Sequence, residues 1–172
     1  MGAFFLNIIE QGETFDPGFY STFNSFLNTF DNNIKIENLV MDSTNIVFSN
    51  YFIASSEFWS EWLRICEKLF EIAEDQKSEL SKFICFPTNY GNNVQRKVFM
   101  IERIASLILS NSNMWKIKIK NPINMAWSSL PTNKFMNEAI LSDALKISYN
   151  QTKNIFYLEE FLNIRKNVFY KK

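Results

Sequence analysis

Apolar residues recur at helical spacing from residue 55 to residue 74, and this pattern predicts a long amphipathic helix. Ser55 or Ser56 is a suitable N-cap, and Glu57 falls in the first turn, where the helix dipole favours a negative charge. The apolar residues form two neighbouring stripes: Phe58, Trp62, Ile65, Leu69 and Ile72 in one, and Trp59, Leu63, Cys66, Phe70 and Ala73 in the other. We therefore expect the aromatic rings of this helix to pack in the core.

The same periodicity predicts four further helices. Asp16 followed by Pro17 is typical of a helix start, and apolar residues continue at helical spacing to about residue 30. Residues 94–109 are apolar around most of the helix circumference, which indicates a central position. The last two predicted helices cover residues 134–148 and 154–170.

Strand-like runs are fewer and shorter. Residues 45–54 are rich in β-branched and aromatic side chains and predict a mostly buried strand, while the alternation over residues 114–122 predicts a half-exposed one. Residues 3–9 fit either a buried strand or a short helix. With a loop predicted over residues 87–93 and no repeat or linker, the sequence predicts one compact domain over residues 1–172. Its expected class is α+β, helix-dominated, with about five helices and a few short strands.

The composition limits the classes of function. The chain has 172 residues, of which 18 are Phe, and its net charge is zero. A chain of this size can bury a core, and the even charge argues against a dedicated nucleic-acid binder, which needs a basic face. The sequence contains no histidine. Ser-His-Asp, Cys-His and zinc-hydrolase mechanisms are therefore excluded within this chain.

The expected compartment follows from the cysteines and from the lack of targeting patterns. Cys66 and Cys85 lie in apolar contexts and are expected to be free thiols rather than a disulfide. The first residues lack a signal-peptide pattern and no segment reaches the length of a transmembrane helix, so a cytoplasmic location is expected. The closing KNVFYKK complements a helix C-terminus, with contact to a membrane surface as the alternative.

Charged residues within the apolar run over residues 94–109 are the sharpest candidates for chemistry. Glu102 could act as a general base or accept hydrogen bonds from a polyhydroxylated ligand. Arg96 and Arg103 could bind a phosphate through paired N–H groups. The alternatives are a narrow solvent-facing stripe or a structural ion pair, since buried charges are usually paired.

Aromatic rings beside amides and acids can bind sugars, because a pyranose offers an apolar face and a rim of hydroxyl groups. Trp127 lies in a loop between two prolines and is the best stacking candidate, ahead of Trp59, Trp62 and Trp115. Asn50 ends a strand-like run and is either a ligand contact or a turn asparagine. The aspartates are scattered and there is no Gly-rich phosphate loop, so neither a metal site nor a nucleotide-cofactor site is predicted.

Three segments follow one another within residues 46–110: NYFI, then FWSEWLRICEKLFEIAE, then RKVFMIERIASLIL after a loop. This order resembles the C-terminal half of GT-A-type glycosyltransferases that build bacterial surface polysaccharides. The resemblance implies that Asn50, Arg96, Glu102 and Arg103 face a sugar or nucleotide sugar. The glycine usual before the Glu-Arg pair is missing, the spacing from Arg96 is one residue short, and there is no Asp-x-Asp pair to hold a divalent metal. The resemblance therefore concerns the acceptor-side half of such enzymes, as a fragment, a separate subunit or a descendant without catalysis.

Two hypotheses about function result. The resemblance implies a glycosyltransferase-like domain in surface-polysaccharide synthesis, peripheral to the inner membrane, which binds a sugar or nucleotide sugar. A separate nucleotide-binding half or another protein would be its partner. The alternative is a non-catalytic helical protein-interaction domain. The first hypothesis predicts that Glu102 and Arg103 line a pocket with the end of the strand-like run over residues 46–54.

Overall fold

The computed structural model of the protein describes residues 2–31, 33–91, 93–111, 114–119 and 134–170. Within these ranges the chain forms seven α-helices: α1 (Ile8–Phe15), α2 (Phe19–Leu27), α3 (Ser56–Glu74), α4 (Glu79–Ile84), α5 (Arg96–Asn111), α6 (Met136–Thr152) and α7 (Ile155–Tyr170). Two short 3-10 helices lie at Gly2–Phe4, called the N-terminal turn below, and at Ile36–Asn38. None of these helices is both long enough and apolar enough to cross a membrane.

The fold is helical and does not belong to the α+β class that the sequence predicted. In the described part of the chain, the only β pairing is an isolated antiparallel bridge between Pro87 and Gln95. Residues 45–54 and 114–119 contain no strand, and residues 3–9 contain the N-terminal turn and the start of α1. The prediction of a few short strands is therefore wrong.

Residues 45–54 pack on a helix instead of pairing with a strand. The Val47 N–H donates to the Ser106 hydroxyl of α5 at 2.7 Å, and that oxygen lies 3.3 Å from the Val47 carbonyl oxygen. Ser49 and Asn50 then adopt φ angles of 50° and 58°, in the left-handed region, and the chain turns. Strand propensity describes side chains that suit a paired, pleated surface, so it misleads where a helix supplies the partner.

The five predicted helices are present as α2, α3, α5, α6 and α7. α3 follows its prediction closely, since Ser55 is its N-cap and accepts from the Phe58 N–H at 3.4 Å. The Phe58, Ile65 and Leu69 side chains of α3 are buried, as predicted for the first stripe. Trp59, Leu63 and Phe70 of the second stripe are exposed, so the prediction that all rings of this helix pack in the core is wrong. α1 and α4 are additional helices of eight and six residues, too short for a clear apolar period.

The start of α2 differs from its prediction. The helix begins at Phe19 with Gly18 as its N-cap, and not at Pro17 after Asp16. The Asp16 carboxylate binds Arg96 of α5 and is therefore not used as a cap. A long-range ion pair has replaced the local interaction that the Asp-Pro pair predicted.

Helices α1 to α5 enclose the main apolar core. α3 lies against α5, α1 packs on α2 and α5, and α4 contacts α2, α3 and α5. The fully buried side chains at its centre include Phe19, Phe23, Phe26, Leu69, Met100 and Ile104. This arrangement leaves the ends of α2 and α5 beside the first half of α3.

Helices α6 and α7 form a pair that lies beside the main apolar core. They pack on each other, and α6 also packs on the N-terminal turn. Lys153 ends α6 in a left-handed conformation with φ of 56°, which turns the chain into α7. The buried apolar residues of the α6–α7 pair are Ala139, Phe161 and Ile164, and within the described chain none of them belongs to the main apolar core.

Candidate functional site

Arg96 lies in a buried ion pair. Its Nε and Nη2 atoms donate to the two carboxylate oxygens of Asp16 at 2.6 and 2.9 Å. Nη1 donates to Thr22 Oγ1 and Nη2 also donates to the Pro17 carbonyl oxygen, both at 2.9 Å. Only 3% of Arg96 is exposed. These contacts use the guanidinium to join α5 to the segment between α1 and α2, so its evident role is structural.

Arg103 also faces the protein interior. Its Nε donates to the Ile8 carbonyl oxygen at 2.9 Å, and its Nη1 donates to the Phe99 carbonyl oxygen at 2.8 Å. The guanidinium carbon lies 4.7 Å from the centre of the Phe19 ring. Burial lowers the pKa of Arg103 to about 10, and the charge of Glu102 opposes part of this effect. Glu102 itself is half-buried.

Of the other two predicted ligand contacts, the structure describes Asn50 but not Trp127. Asn50 lies in the left-handed turn before α3, and its buried Oδ1 has no hydrogen-bond donor among the described residues. Trp127 lies outside the described residues. The structure does bring residues 46–47 against α5, through Ser106, but the Arg103 side chain turns toward α1 and α2. The Arg103 guanidinium thus bonds to carbonyl oxygens of α1 and α5.

The chain has a cleft elsewhere, between the end of α2, the first half of α3 and the end of α5. Its volume is about 340 Å³, which is in the range of small-molecule sites. Its walls contain aliphatic side chains, two aromatic rings, three carboxylates and one guanidinium. The lining residues are Phe30, Asp31, Ile34, Glu57, Glu61, Arg64, Ile65, Leu107, Ile108, Asn111, Met114 and Trp115. We call this the α2–α3–α5 cleft.

Glu61 and Arg64 form a hydrogen-bonded ion pair on the α3 wall of the cleft. Arg64 donates from Nε and Nη2 to the two Glu61 oxygens, each at 2.7 Å, because residues three positions apart are neighbours on a helix surface. The guanidinium carbon also lies 5.9 Å from the centre of the Phe30 ring. The hydrogen bonds from Arg64 lower the pKa of Glu61. Glu61 is therefore a carboxylate at neutral pH, with its orientation set by Arg64.

Glu57 provides a second carboxylate one turn earlier on α3. Hydrogen bonds from Ser55, from its own backbone N–H and from Ser56 lower its pKa. The first turn of a helix favours a negative charge at this position. With Asp31 on the opposite wall, the cleft therefore holds more negative than positive charge at neutral pH.

Aromatic rings back the cleft on the α3 side. The Trp115 ring meets the Phe58 ring edge to face, with centroids 5.1 Å apart, and Phe58 in turn contacts Phe52 at 5.5 Å. Phe52 stacks on Trp59 at 4.7 Å, so the residues after Asn50 belong to the same group of rings. The Trp115 Nε1 atom is buried and has no acceptor among the described residues. A buried donor of this kind needs a partner, such as water or a ligand.

Sequence reasoning identified only part of this cleft. The sequence offers Trp115 as a sugar-stacking candidate. Asp31 and Asn111 were missed, because they reach the cleft from the ends of α2 and α5. No local signal marks a residue that is functional only through contacts between distant segments.

The chain matches no family model, no curated protein and no solved structure. Within the described ranges, no three Cys, Asp or Glu side chains converge as they would around a metal ion. The α2–α3–α5 cleft is therefore judged on its own chemistry.

Proposed function

We propose that the chain is a glycosyltransferase-like domain of bacterial surface-polysaccharide synthesis that binds a neutral sugar in the α2–α3–α5 cleft. The observation that carries the proposal is the combination, in one cleft, of the Trp115 ring with the carboxylates of Asp31, Glu57 and Glu61. Carboxylates accept hydrogen bonds from sugar hydroxyls, and an aromatic ring packs against the C–H face of a pyranose. The biological setting, at the cytoplasmic side of the inner membrane, rests on the sequence resemblance alone, since the Arg96 and Arg103 side chains that it assigned to the ligand bond within the protein.

The charges of the cleft favour an acceptor sugar over a nucleotide sugar. A diphosphate would be repelled by Asp31 and Glu57, since Arg64 is already paired with Glu61. The lowered pKa values of Glu57 and Glu61 make both groups hydrogen-bond acceptors rather than proton-transfer groups near neutral pH. The cleft thus suits binding, and a donor sugar would need a separate nucleotide-binding half or a partner protein.

The Trp115 indole N–H provides a direct test by NMR. The signal, assigned with Trp115→Phe, is followed while neutral mono- and oligosaccharides are added, and in parallel a nucleotide sugar with and without manganese. We expect the signal to shift with neutral sugars at millimolar concentration and not with the nucleotide sugar. A cleft signal that moves with none of these compounds would rule out the proposed function.

A matched pair of α3 variants separates the cleft from the rest of the helix. Glu57→Ala removes an acceptor, and binding should weaken about tenfold, in line with the loss of a hydrogen bond to a charged group. Glu71→Ala is the control, because Glu71 lies further along the same helix and pairs only with the exposed Lys68. Equal effects of the two substitutions would contradict a sugar site in this cleft.

The alternative function, a protein-interaction domain, is favoured by one surface feature. Tyr51 and Ile53, just after the left-handed turn, are almost fully exposed, and Leu63 and Phe70 of α3 are about half exposed. Neighbouring exposed apolar side chains often mark protein contacts, and Tyr51 and Ile53 are two residues apart. Sedimentation of the wild type and of a Tyr51→Ser/Ile53→Ser variant tests this for self-association. A concentration-dependent dimer in the wild type alone would support the alternative.

A further inference from the structure

Several polar contacts join the α6–α7 pair to the rest of the protein, beside contacts of the Phe169 ring of α7 with the Phe4 and Phe5 rings. The Lys146 Nζ atom of α6 donates to the carbonyl oxygens of Phe5 at 3.0 Å and Gly2 at 3.4 Å. The Asn150 side chain of α6 donates to the Val40 carbonyl oxygen at 2.9 Å and to Asp42 at 2.8 Å. These bonds tie α6 to the N-terminal turn and to the segment after the second 3-10 helix.

Two further polar contacts extend the same joint. The Asp143 carboxylate of α6 accepts from the Ser43 N–H at 2.8 Å. Arg165 of α7 pairs with Glu10 of α1 at 2.7 Å, and it lies 5.6 Å from the Phe5 ring centre. Four side chains of the α6–α7 pair therefore contact the rest of the chain through hydrogen bonds or charge.

The apolar residues buried at this joint form a group that is separate from the main apolar core. Phe4, Phe5 and Val40 are buried, as are Ala139, Phe161 and Ile164 of the α6–α7 pair, yet in the described part of the chain these six lie outside the main apolar core. Lys146 is fully buried among them, with its Nζ atom 5.4 Å from the centre of the Phe161 ring. A buried ammonium bears a desolvation cost that an apolar side chain would not, so it weakens the joint.

We propose that the α6–α7 pair opens away from helices α1 to α5 as one cooperative unit while those five helices stay folded, and that the joint at Lys146 is the surface that separates. Opening exposes Phe4, Phe5 and the Lys146 ammonium but leaves the main apolar core intact. A unit whose apolar contacts lie outside the main core can open at a free energy below that of global unfolding.

Native-state hydrogen exchange of the full chain, resolved by peptide, tests this proposal with two variants. Ile104→Val deletes one methylene from α5 inside the main apolar core, where Ile104 is fully buried. It should speed the exchange of the slowest α3 and α5 amides about fivefold and leave α6 and α7 amides unchanged, because opening of the pair does not require α5 to unfold. In the wild type, α6 and α7 amides should exchange at least tenfold faster than those of α3 and α5.

Lys146→Met keeps the length of the side chain and removes its charge, so it should change the exchange of all four helices by one common factor. The factor is the same because α6 and α7 exchange through local opening and α3 and α5 exchange through global unfolding. Both processes break the Lys146 joint, so the substitution changes the free energy of both by the same amount. Two results would overturn the proposal: acceleration of α6 and α7 by Ile104→Val to the same degree as α3, or unchanged α6 and α7 exchange in Lys146→Met. If the Lys146 variant fails to fold, the Ile104 variant decides the question alone.

Discussion

Arg96 and Asp16 lie 80 positions apart in the sequence and form a buried two-point ion pair at 2.6 and 2.9 Å. Three further oxygens, of Thr22, Pro17 and Phe83, surround the same guanidinium. The pair fixes the first turn of α5 to the junction of α1 and α2. A residue that the sequence offered as a phosphate ligand is thus a structural anchor of the main apolar core.

Asp16→Asn should lower the free energy of unfolding by about 3 kcal/mol, because it leaves the buried Arg96 charge uncompensated. Urea unfolding of the two proteins measures the difference. Glu61→Gln is a suitable comparison, since it breaks an exposed pair and should cost less than about 1 kcal/mol. If Asp16→Asn cost as little stability as Glu61→Gln, the structural role of Arg96 would be contradicted.

Lys146 predicts a specific dependence of stability on pH. Burial lowers its pKa from 10.5 to about 8 in the folded protein. The negative charges of Asp143, Asp42 and Glu10 raise the pKa in part, and the positive charge of Arg165 lowers it further. Between these two pKa values the unfolded chain binds more protons, so stability rises with pH from about 8 to 10.5, by up to about 3 kcal/mol. Below pH 8 this contribution is absent.

The Lys146→Met variant isolates this effect from other groups that titrate in the same window, including Arg103. The difference in unfolding free energy between wild type and variant, measured by urea at several pH values from 7 to 11, should move in favour of the wild type as pH rises. A difference that stays constant across this range would show that the Lys146 pKa is not lowered.

Gly12 should not tolerate a side chain, although it lies inside α1. A Cβ at this position would come within 2.6 and 2.8 Å of two carbons of the buried Phe19 ring. Gly12→Ala should therefore cost about 2 kcal/mol of stability through overpacking, despite the higher helix propensity of alanine. Thr14→Ala, on the exposed side of the same helix, should be neutral or slightly stabilising. Thermal unfolding of both variants checks the contrast, and equal behaviour would contradict the close contact.

The two thiols should differ in reactivity. Burial raises the pKa of Cys66 to about 12, and its side chain lies in the main apolar core, so almost no thiolate is present at pH 8. Cys85 is only half-buried, with its Sγ atom 3.6 Å from the Ala73 carbonyl oxygen. Iodoacetamide labelling followed by mass spectrometry should modify Cys85 first and Cys66 only after unfolding in urea. Equal rates in the folded protein would contradict the burial of Cys66.

Local patterns were sufficient for the long helices. α3 carries its own evidence, namely a serine cap, an acidic first turn and two apolar stripes, and each of these depends on residues within one or two turns. The run over residues 45–54 carries equally strong local evidence for a strand, and it misleads. Its partner is the Ser106 hydroxyl, 59 positions from Val47, and no property of the run itself reveals that.

The candidate site was predictable only in its chemistry. Aromatic and acidic side chains were recognised as suited to sugars, but the sequence grouped Glu102 and Arg103 with Asn50, whereas Arg103 bonds to backbone carbonyls of α1 and α5. No pattern in the sequence marks Lys146 as a buried residue. It sits on a helix without a clear apolar face, and its burial depends on the N-terminal turn that covers it.

The bond between Lys146 and the Phe5 carbonyl joins positions that lie 141 residues apart. On the ribosome, α1 to α5 are synthesised and leave the exit tunnel before α6 and α7 do. At about 5–20 residues per second, the stretch from α5 to the end of α7 takes roughly 3–12 s to translate. During that interval Phe4 and Phe5 lack the α6 and α7 side chains that cover them in the folded protein, so this segment of the nascent chain is open to chaperones and to aggregation.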